Sequence, residues 1–286
     1  MKSYQYALLI AVTVFTLSFV SLSYALTTDI GPVSNLDVDT SPIYEQFSVS
    51  AIQFPDPRFE AEVRSIIEKP IGVITANDVA KITELYVSEL GIEDLTGIEY
   101  FTALEILDCA WNNLTKLDLS SNAKLRKLEC TGNRLMMLNI SQNTMLTDLS
   151  VFSNELTLLD ISQNTMLAWL SCGYNQLTTL DASQNTKLEE LYCSGNALKS
   201  LYLGENVVLR GLECDSNKLT TLDVSQNIGL EWLECSENQL KALDISKNIK
   251  LAYLGCFNNH FPNKSAIIGL DEERLVYGFV FDPLGV

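Results

Sequence analysis

Residues 188–206 read LEELYCSGNALKSLYLGEN, and the reading of this stretch decides the fold. Written from Leu188 it is L-x-x-L-x-C-x-x-N, and from Leu198 it is L-x-x-L-x-L-x-x-N. The first frame returns at a period of twenty-one residues: LRKLECTGN from Leu125, LAWLSCGYN from Leu167, LRGLECDSN from Leu209 and LEWLECSEN from Leu230. One such turn cannot bury its own leucines. Stacked turns bury them against each other, so the period implies a quasi-one-dimensional solenoid with a continuous core.

A fixed period in the twenties with this motif inside it is the signature of a leucine-rich repeat. The expected fold class is therefore an α/β-type repeat: a solenoid with a parallel concave sheet and a mostly irregular or short-strand convex side. Each later turn carries two candidate strand units. From Ile82 the chain reads ITELYVSELGIEDLTGIEYFTA, a turn with a single unit, and its Leu85 and Val87 lead to Leu107 and Cys109. That places the cysteine-bearing unit on the concave sheet, with nine strands, and the D-x-S-x-N unit on the opposite side.

Cys109, Cys130, Cys172, Cys193, Cys214, Cys235 and Cys256 share one column, in which Val151 fills the turn that skips. A column that accepts valine selects a small apolar group, and cysteine packs as one. The spacing thus argues for a buried, reduced ladder rather than disulfides. Asn112, Asn133, Asn154, Asn175, Asn196, Asn217, Asn238 and Asn259 mark each strand exit, and a second row runs from Asn122 to Asn248. Asparagine suits turns and its amide can satisfy unpaired backbone groups, so both rows read as scaffold. The row Asp118, Asp160, Asp181, Asp223, Asp244 invites a calcium reading. Each is followed two positions on by serine, the pattern of local backbone capping, and Asn139 and Tyr202 interrupt the row.

The ends divide the chain further. Residues 1–25 combine Lys2, an apolar run from Ala7 to Val20 and the small-residue site Ser23-Tyr24-Ala25, the pattern of a signal peptide cleaved after Ala25. An uncleaved anchor is the competing reading, since the run approaches spanning length. No later stretch is long and apolar enough to cross a bilayer, so no span is expected in the mature chain. Residues 26–51 lack periodicity and read as a linker. In residues 52–81, Pro57 opens an apolar 3.6-period pattern and Thr75 with Asp78 forms a capping-box pattern, giving a small helical N-terminal cap over the first turn. Residues 82–259 are the repeats, and 260–286, with the strand-like LVYGFVF, form a C-terminal cap.

The segment FPDPRFEAEVRSIIEKPIGVITANDVAKITELYVSELGIEDLTGIEYFTALEIL resembles the N-terminal cap and first repeat of the internalin-like leucine-rich-repeat proteins of bacteria. The matching elements are P-x-G-x-I-T-x-x-D from Pro70 and I-x-D-L-T-G-I-E-Y-F-T-x-L from Ile92. The resemblance extends from about Ile52 to Asn259 and implies a bacterial binding protein, secreted or at the cell surface. Unlike the best-known members, this sequence has no immunoglobulin-like domain after the repeats and no L-P-x-T-G sorting signal, so covalent wall anchoring is not part of the expectation.

Composition and motifs narrow the function classes. A net charge of −17 repels phosphate backbones and anionic lipid heads, which argues against nucleic acid. His260 is the only histidine, so two-histidine zinc motifs are excluded. No glycine-rich phosphate loop follows a strand. The sequence therefore calls for no catalysis and no cofactor. Recognition remains, and strand alternation assigns the face. Positions three, five and seven of each unit point to the concave side, and position eight lies at its edge. The D-x-S-x-N side is monotonous, whereas these columns vary and hold all three tryptophans. The candidate ligand-binding residues are Trp111, Phe152, Trp169, Tyr174, Glu190, Tyr192, Glu213, Trp232, Glu234 and Tyr253. Lys127 is the single base in the four columns, so the expected partner is a protein with a basic surface around an apolar centre. A glycan stacking on the aromatic rings, and a purely structural surface spacer, stand as alternatives. A monomer is expected, with Trp169 and Trp232 outside the core.

Overall fold

Each turn lays one short strand beside the strand of the turn before it, in a computed structural model that describes residues 50–281. The expected signal peptide and nearly all of the expected linker lie outside those residues, and the described residues fall in one compact unit, Val49–Val286. In chain order the strands are β1 (Glu84–Tyr86), β2 (Ile106–Asp108), β3 (Lys127–Glu129), β4 (Asp148–Ser150), β5 (Trp169–Ser171), β6 (Thr179–Asp181) and β7 (Glu190–Tyr192). There follow β8 (Ser200–Tyr202), β9 (Gly211–Glu213), β10 (Trp232–Glu234), β11 (Leu243–Asp244), β12 (Tyr253–Gly255), β13 (Ile267–Ile268) and β14 (Gly278–Val280).

The principal sheet is parallel throughout, in the order β1-β2-β3-β4-β5-β7-β9-β10-β12-β14. The cysteine-bearing unit is the sheet strand, as the single-unit first turn implies. The second units pair only in fragments, β6 with β8 and β11 with β13, plus a bridge between Asp118 and Asn139. The sheet has ten strands where the repeat count predicts nine. The extra one is β14, which pairs with β12 and covers the edge that the last repeat would otherwise leave open.

The register repeats without slippage because one residue of slip would turn every leucine out of the core. Leu107, Leu128, Leu149, Leu170, Leu191, Leu212, Leu233 and Leu254 follow one another at the strand centres, all buried. The cysteine column, with Val151 in it, is also buried and unbridged. Burial pushes all of its thiols up from their ordinary value, Cys172 to about 12.

Two asparagine ladders stitch the turns. The Asn133 side-chain amide donates to the carbonyls of Cys109 and Cys130, and its Oδ1 accepts from the Leu114 N–H at 3.0 Å. Each strand-exit asparagine repeats this clamp on its own turn and the preceding one, satisfying backbone groups that the corner leaves unpaired. In the second row, Asn164 donates to the carbonyls of Ile140 and Asn143 at 3.0 and 2.9 Å. The aspartates of the D-x-S motif accept from the serine N–H two residues on, as with Asp160 and Ser162 at 2.9 Å.

At the N-terminal end, helix α1 (Pro57–Ile66) buries Phe59 and Val63 against the first turn, with Phe59 stacked 6.2 Å from Phe101. Asp56 caps it, accepting from the N–H groups of Arg58 and Phe59, and also reaches the Glu93 N–H in the first repeat at 2.6 Å. Helix α2 (Ala76–Val79) is held by Asp78, which accepts from the Thr75 N–H and hydroxyl. Among the described residues no helix is long and apolar enough to cross a membrane.

Candidate functional site

The strand pattern leaves one face of the sheet free to carry side chains with no packing duty. The structure sorts the candidate residues on that face into two groups and leaves one apart. Phe152, Trp169, Tyr174 and Tyr192 come together across β4, β5 and β7. The ring centroids of Phe152 and Tyr174 are 5.1 Å apart, and those of Trp169 and Tyr192 are 5.8 Å apart. Around them Ser171, Gly173 and Ser194 leave a hollow of about 370 Å³, bounded at its far end by Glu213 and Asp215. The second group lies further along, where Trp232 stacks on Tyr253 at 3.7 Å with an 11° angle between the rings. Tyr253 also donates to Glu234 at 2.8 Å. Trp111 stands alone, two turns before Phe152.

Position eight is not simply an edge. Glu89, Trp111, Ser153, Tyr174, Ser216, Glu237 and Asn258 occupy it at φ between 50° and 60°, and Gly132 and Gly195 occupy it at 66°. The corner after each strand is thus left-handed, a conformation that bulky L-residues adopt only under constraint and that recurs at functional positions. Trp111 and Tyr174 adopt it, with 57% and 61% of their surface exposed. Each ring lies over the glycine of the next turn. A Cβ on Gly132 would come within 2.4 Å of the Trp111 ring, and one on Gly195 within 3.2 Å of Tyr174. Phe152 uses Gly173 in the same way, at 3.3 Å. The carboxylates also lie on glycines: Glu190 crosses Gly211, and Glu234 crosses Gly255. The signal that sequence reasoning missed is therefore pairwise, a large residue followed one period later by glycine.

The face is electrostatically one-sided. Burial raises the Glu190 carboxyl, against a hydrogen bond from Tyr192 at 3.3 Å that lowers it. Glu213 is likewise raised, first by burial and then by the charges of Asp215, Glu234 and Glu190. Tyr253 is pushed up to about 12 by burial and its bond to Glu234. Each of these shifts is the response of a group held in negative, partly dry surroundings. Lys127 sits on β3, in register with Asp148 and Trp169, and lines a smaller hollow with them beside the first aromatic group.

Neither Trp169 nor Trp232 belongs to the buried core: Trp169 is half-buried beside Tyr192, and Trp232 keeps 39% of its surface exposed while its ring stacks on Tyr253. Asp215, which strand alternation also places on this face, lines the hollow, together with Ser171 and Ser194. A larger depression of about 710 Å³ lies on the opposite side of the first turns, lined by Leu95, Ile98, Leu117 and Met137. Its charged groups are already engaged, Lys116 with Asp94 at 3.0 Å and Asp118 with the Ser120 N–H. Cys256 is buried in the core column while His260 is exposed, so the pair does not share one surface.

No family model matches the chain. Internalin J of Listeria monocytogenes is 41% identical over 70 residues, which cover 24% of this chain and 8% of that protein. The solved functional domain of InlJ from Listeria monocytogenes, described as including a cysteine ladder, superposes with a TM-score of 0.64 at 36% identity. That match covers 80% of this chain and 56% of the other, so the chain spans about half the length of the solved relative. A leucine-rich-repeat protein of Leptospira interrogans matches with a TM-score of 0.54 at 26% identity, over 64% of this chain and 48% of that one. The LRIM1/APL1C complex contains a chain that matches with the same TM-score at 25% identity, over 64% of this chain and 36% of its own.

Proposed function

We propose that this internalin-like leucine-rich-repeat protein is an exported binding protein that takes a protein ligand on its aromatic and acidic concave face. One observation carries the reading. The sheet presents two aromatic groups, Phe152-Trp169-Tyr174-Tyr192 and Trp232-Tyr253, among Glu190, Glu213, Asp215 and Glu234. Aromatic anchors ringed by polar and charged groups are the anatomy of a protein interface. Trp169 and Trp232 share a column three strands apart, about 14 Å at ordinary strand spacing, so one partner can cover both. The partner surface should be basic around an apolar centre, to complement the carboxylates. The LRIM1/APL1C assembly, a solved neighbour of this fold, lends support in kind, since it is a complex between proteins.

The test is a pull-down from surface extracts of neighbouring or host cells, run beside a glycan array. Trp169→Ala and Trp232→Ala should each weaken capture about thirtyfold, the effect of losing a hot-spot side chain worth about 2 kcal/mol. Asp160→Ala and Asp223→Ala, on the convex side, should leave it unchanged. Binding only on the glycan array would replace the protein reading by the carbohydrate one, and binding to neither would favour a surface spacer. Export is part of the proposal and has its own check: secreted protein should begin at Leu26, and an intact Met1 in a membrane fraction would refute it.

A further inference from the structure

The hollow between Phe152, Trp169, Tyr174 and Tyr192 has a more specific chemistry than an aromatic patch. Its floor is made of small residues, Ser171, Gly173 and Ser194, so it is about one side chain deep. Its walls are rings, which attract cations through their faces. Its far end holds two carboxylates that differ in how they are held. Asp215 is held on Oδ1, which accepts from the Ser194 hydroxyl, while the Ser216 hydroxyl lies 3.2 Å from its Oδ2 and 2.9 Å from Glu237. Glu213 is half-buried and, among the described residues, its carboxylate accepts no hydrogen bond and forms no ion pair. A half-buried carboxylate with like charges around it and no partner gains from a cation that meets it.

We propose that this hollow is an anchor pocket for a single arginine side chain of the ligand. The proposal rests on the protein-ligand reading above and names the group that the site recognises. A guanidinium is planar and weakly hydrated, so it can stack on the Trp169, Tyr174 or Tyr192 ring while its N–H fork reaches the carboxylates at the end of the hollow. Lysine offers a compact, strongly hydrated charge that stacks less well and cannot meet two carboxylates with one plane. Glu190, Asp215 and Glu234 all add to the negative field at Glu213, so an entering cation relieves repulsion as well as making bonds. Among the described residues no basic side chain forms an ion pair with Glu213 or Asp215, and the Arg210 charge acts on Glu190.

The probe is N-acetyl-arginine amide, titrated against the whole protein while the indole N–H signals of Trp111, Trp169 and Trp232 are followed by NMR. The Trp169 signal is identified by its loss in Trp169→Phe. Saturable movement of the Trp169 signal, with little change at Trp111 and Trp232, is the expected result. N-acetyl-citrulline amide, which keeps the shape and loses the charge, should leave the signal in place, and N-acetyl-lysine amide should bind more weakly than arginine. The double variant Glu213→Gln/Asp215→Asn should weaken arginine binding about tenfold or more, the effect of losing charge-assisted hydrogen bonds. Equal response to citrulline, equal movement at all three tryptophans, or an unchanged double variant would overturn the pocket. The two proposals fail separately. If the double variant keeps its captured protein while Trp169→Ala loses it, the pocket is wrong and the protein-ligand reading stands. If arginine amide binds as expected but the pull-down stays empty, the pocket stands and the protein-ligand reading falls.

Discussion

Replacing Cys193 by serine changes one atom in the middle of the ladder and tests the account of what that column is. Cys193 is fully buried between the Cys172 and Cys214 turns. The Cys130 and Cys235 thiols each lie 3.4 Å from a carbonyl of the next turn, those of Ser150 and Gly255, whereas Cys193 makes no such contact. A serine hydroxyl at 193 therefore enters an apolar layer without a partner, which costs about 1–3 kcal/mol. For a chain of this size each kcal/mol moves the melting temperature by about 2–4 °C, so a central loss of about 2 kcal/mol should lower it by about 4–8 °C. Cys193→Val should lose far less, because Val151 already occupies the equivalent place and a near-isosteric apolar exchange costs under about 1.5 kcal/mol. Cys130→Ser should fall between the two, since the Ser150 carbonyl is within reach. Calorimetry and denaturant melts of the three variants give the order directly. Thiol labelling of the native protein at pH 8 adds an independent check, because burial pushes these thiols up and leaves little thiolate. If Cys193→Ser melts like the parent, or valine does as much harm as serine, the ladder is not a dry packing column. Quantitative labelling before unfolding would refute it too.

The other expectations are more local. Trp232→Ala should lose about 1 kcal/mol of stability with its Tyr253 stack, about 2–4 °C by calorimetry, so its binding assays belong well below the melt. Gly132→Ala should cost about 1–2 kcal/mol because its φ of +66° is left-handed, and its methyl would displace the Trp111 ring, visible as a shift of that indole signal. Asp56→Ala should cost about 1–2 kcal/mol at neutral pH. Burial raises the Asp56 carboxyl, but the N–H groups of Glu93, Arg58, Phe59 and Asp94 outweigh it and hold it below its ordinary value. Its contribution is thus present above the unfolded value of about 4 and fades as pH falls through the folded one, so melts of parent and variant should converge in acid. Glu213 has the opposite sign. Its folded value is raised, so its charge opposes folding at neutral pH, and Glu213→Gln should melt higher at pH 7 with the gain vanishing below the unfolded carboxylate value of about 4.3.

The period was enough to assign the architecture, because a repeat leaves each column only one environment. Leu188, Leu191 and Cys193 recur in phase, and from the second turn on the residues of these three columns are buried. The single-unit first turn likewise settled which face is the sheet, and alternation then placed Trp169, Glu190, Tyr192 and Trp232 on it. Periodicity is a statement about columns, however, and the site is made between turns. Nothing in the column order says that Trp232 stacks on Tyr253, that Trp111 and Tyr174 sit at left-handed corners, or that Gly132, Gly173 and Gly195 make room for rings one turn away. The hollow joins Phe152 to Asp215 across three strand spacings, and β14 joins the sheet from outside the repeat altogether. These features depend on side-chain size and direction across hydrogen-bonded neighbours. They became legible only when the turns were stacked, since residues far apart along the chain meet there at a few ångströms.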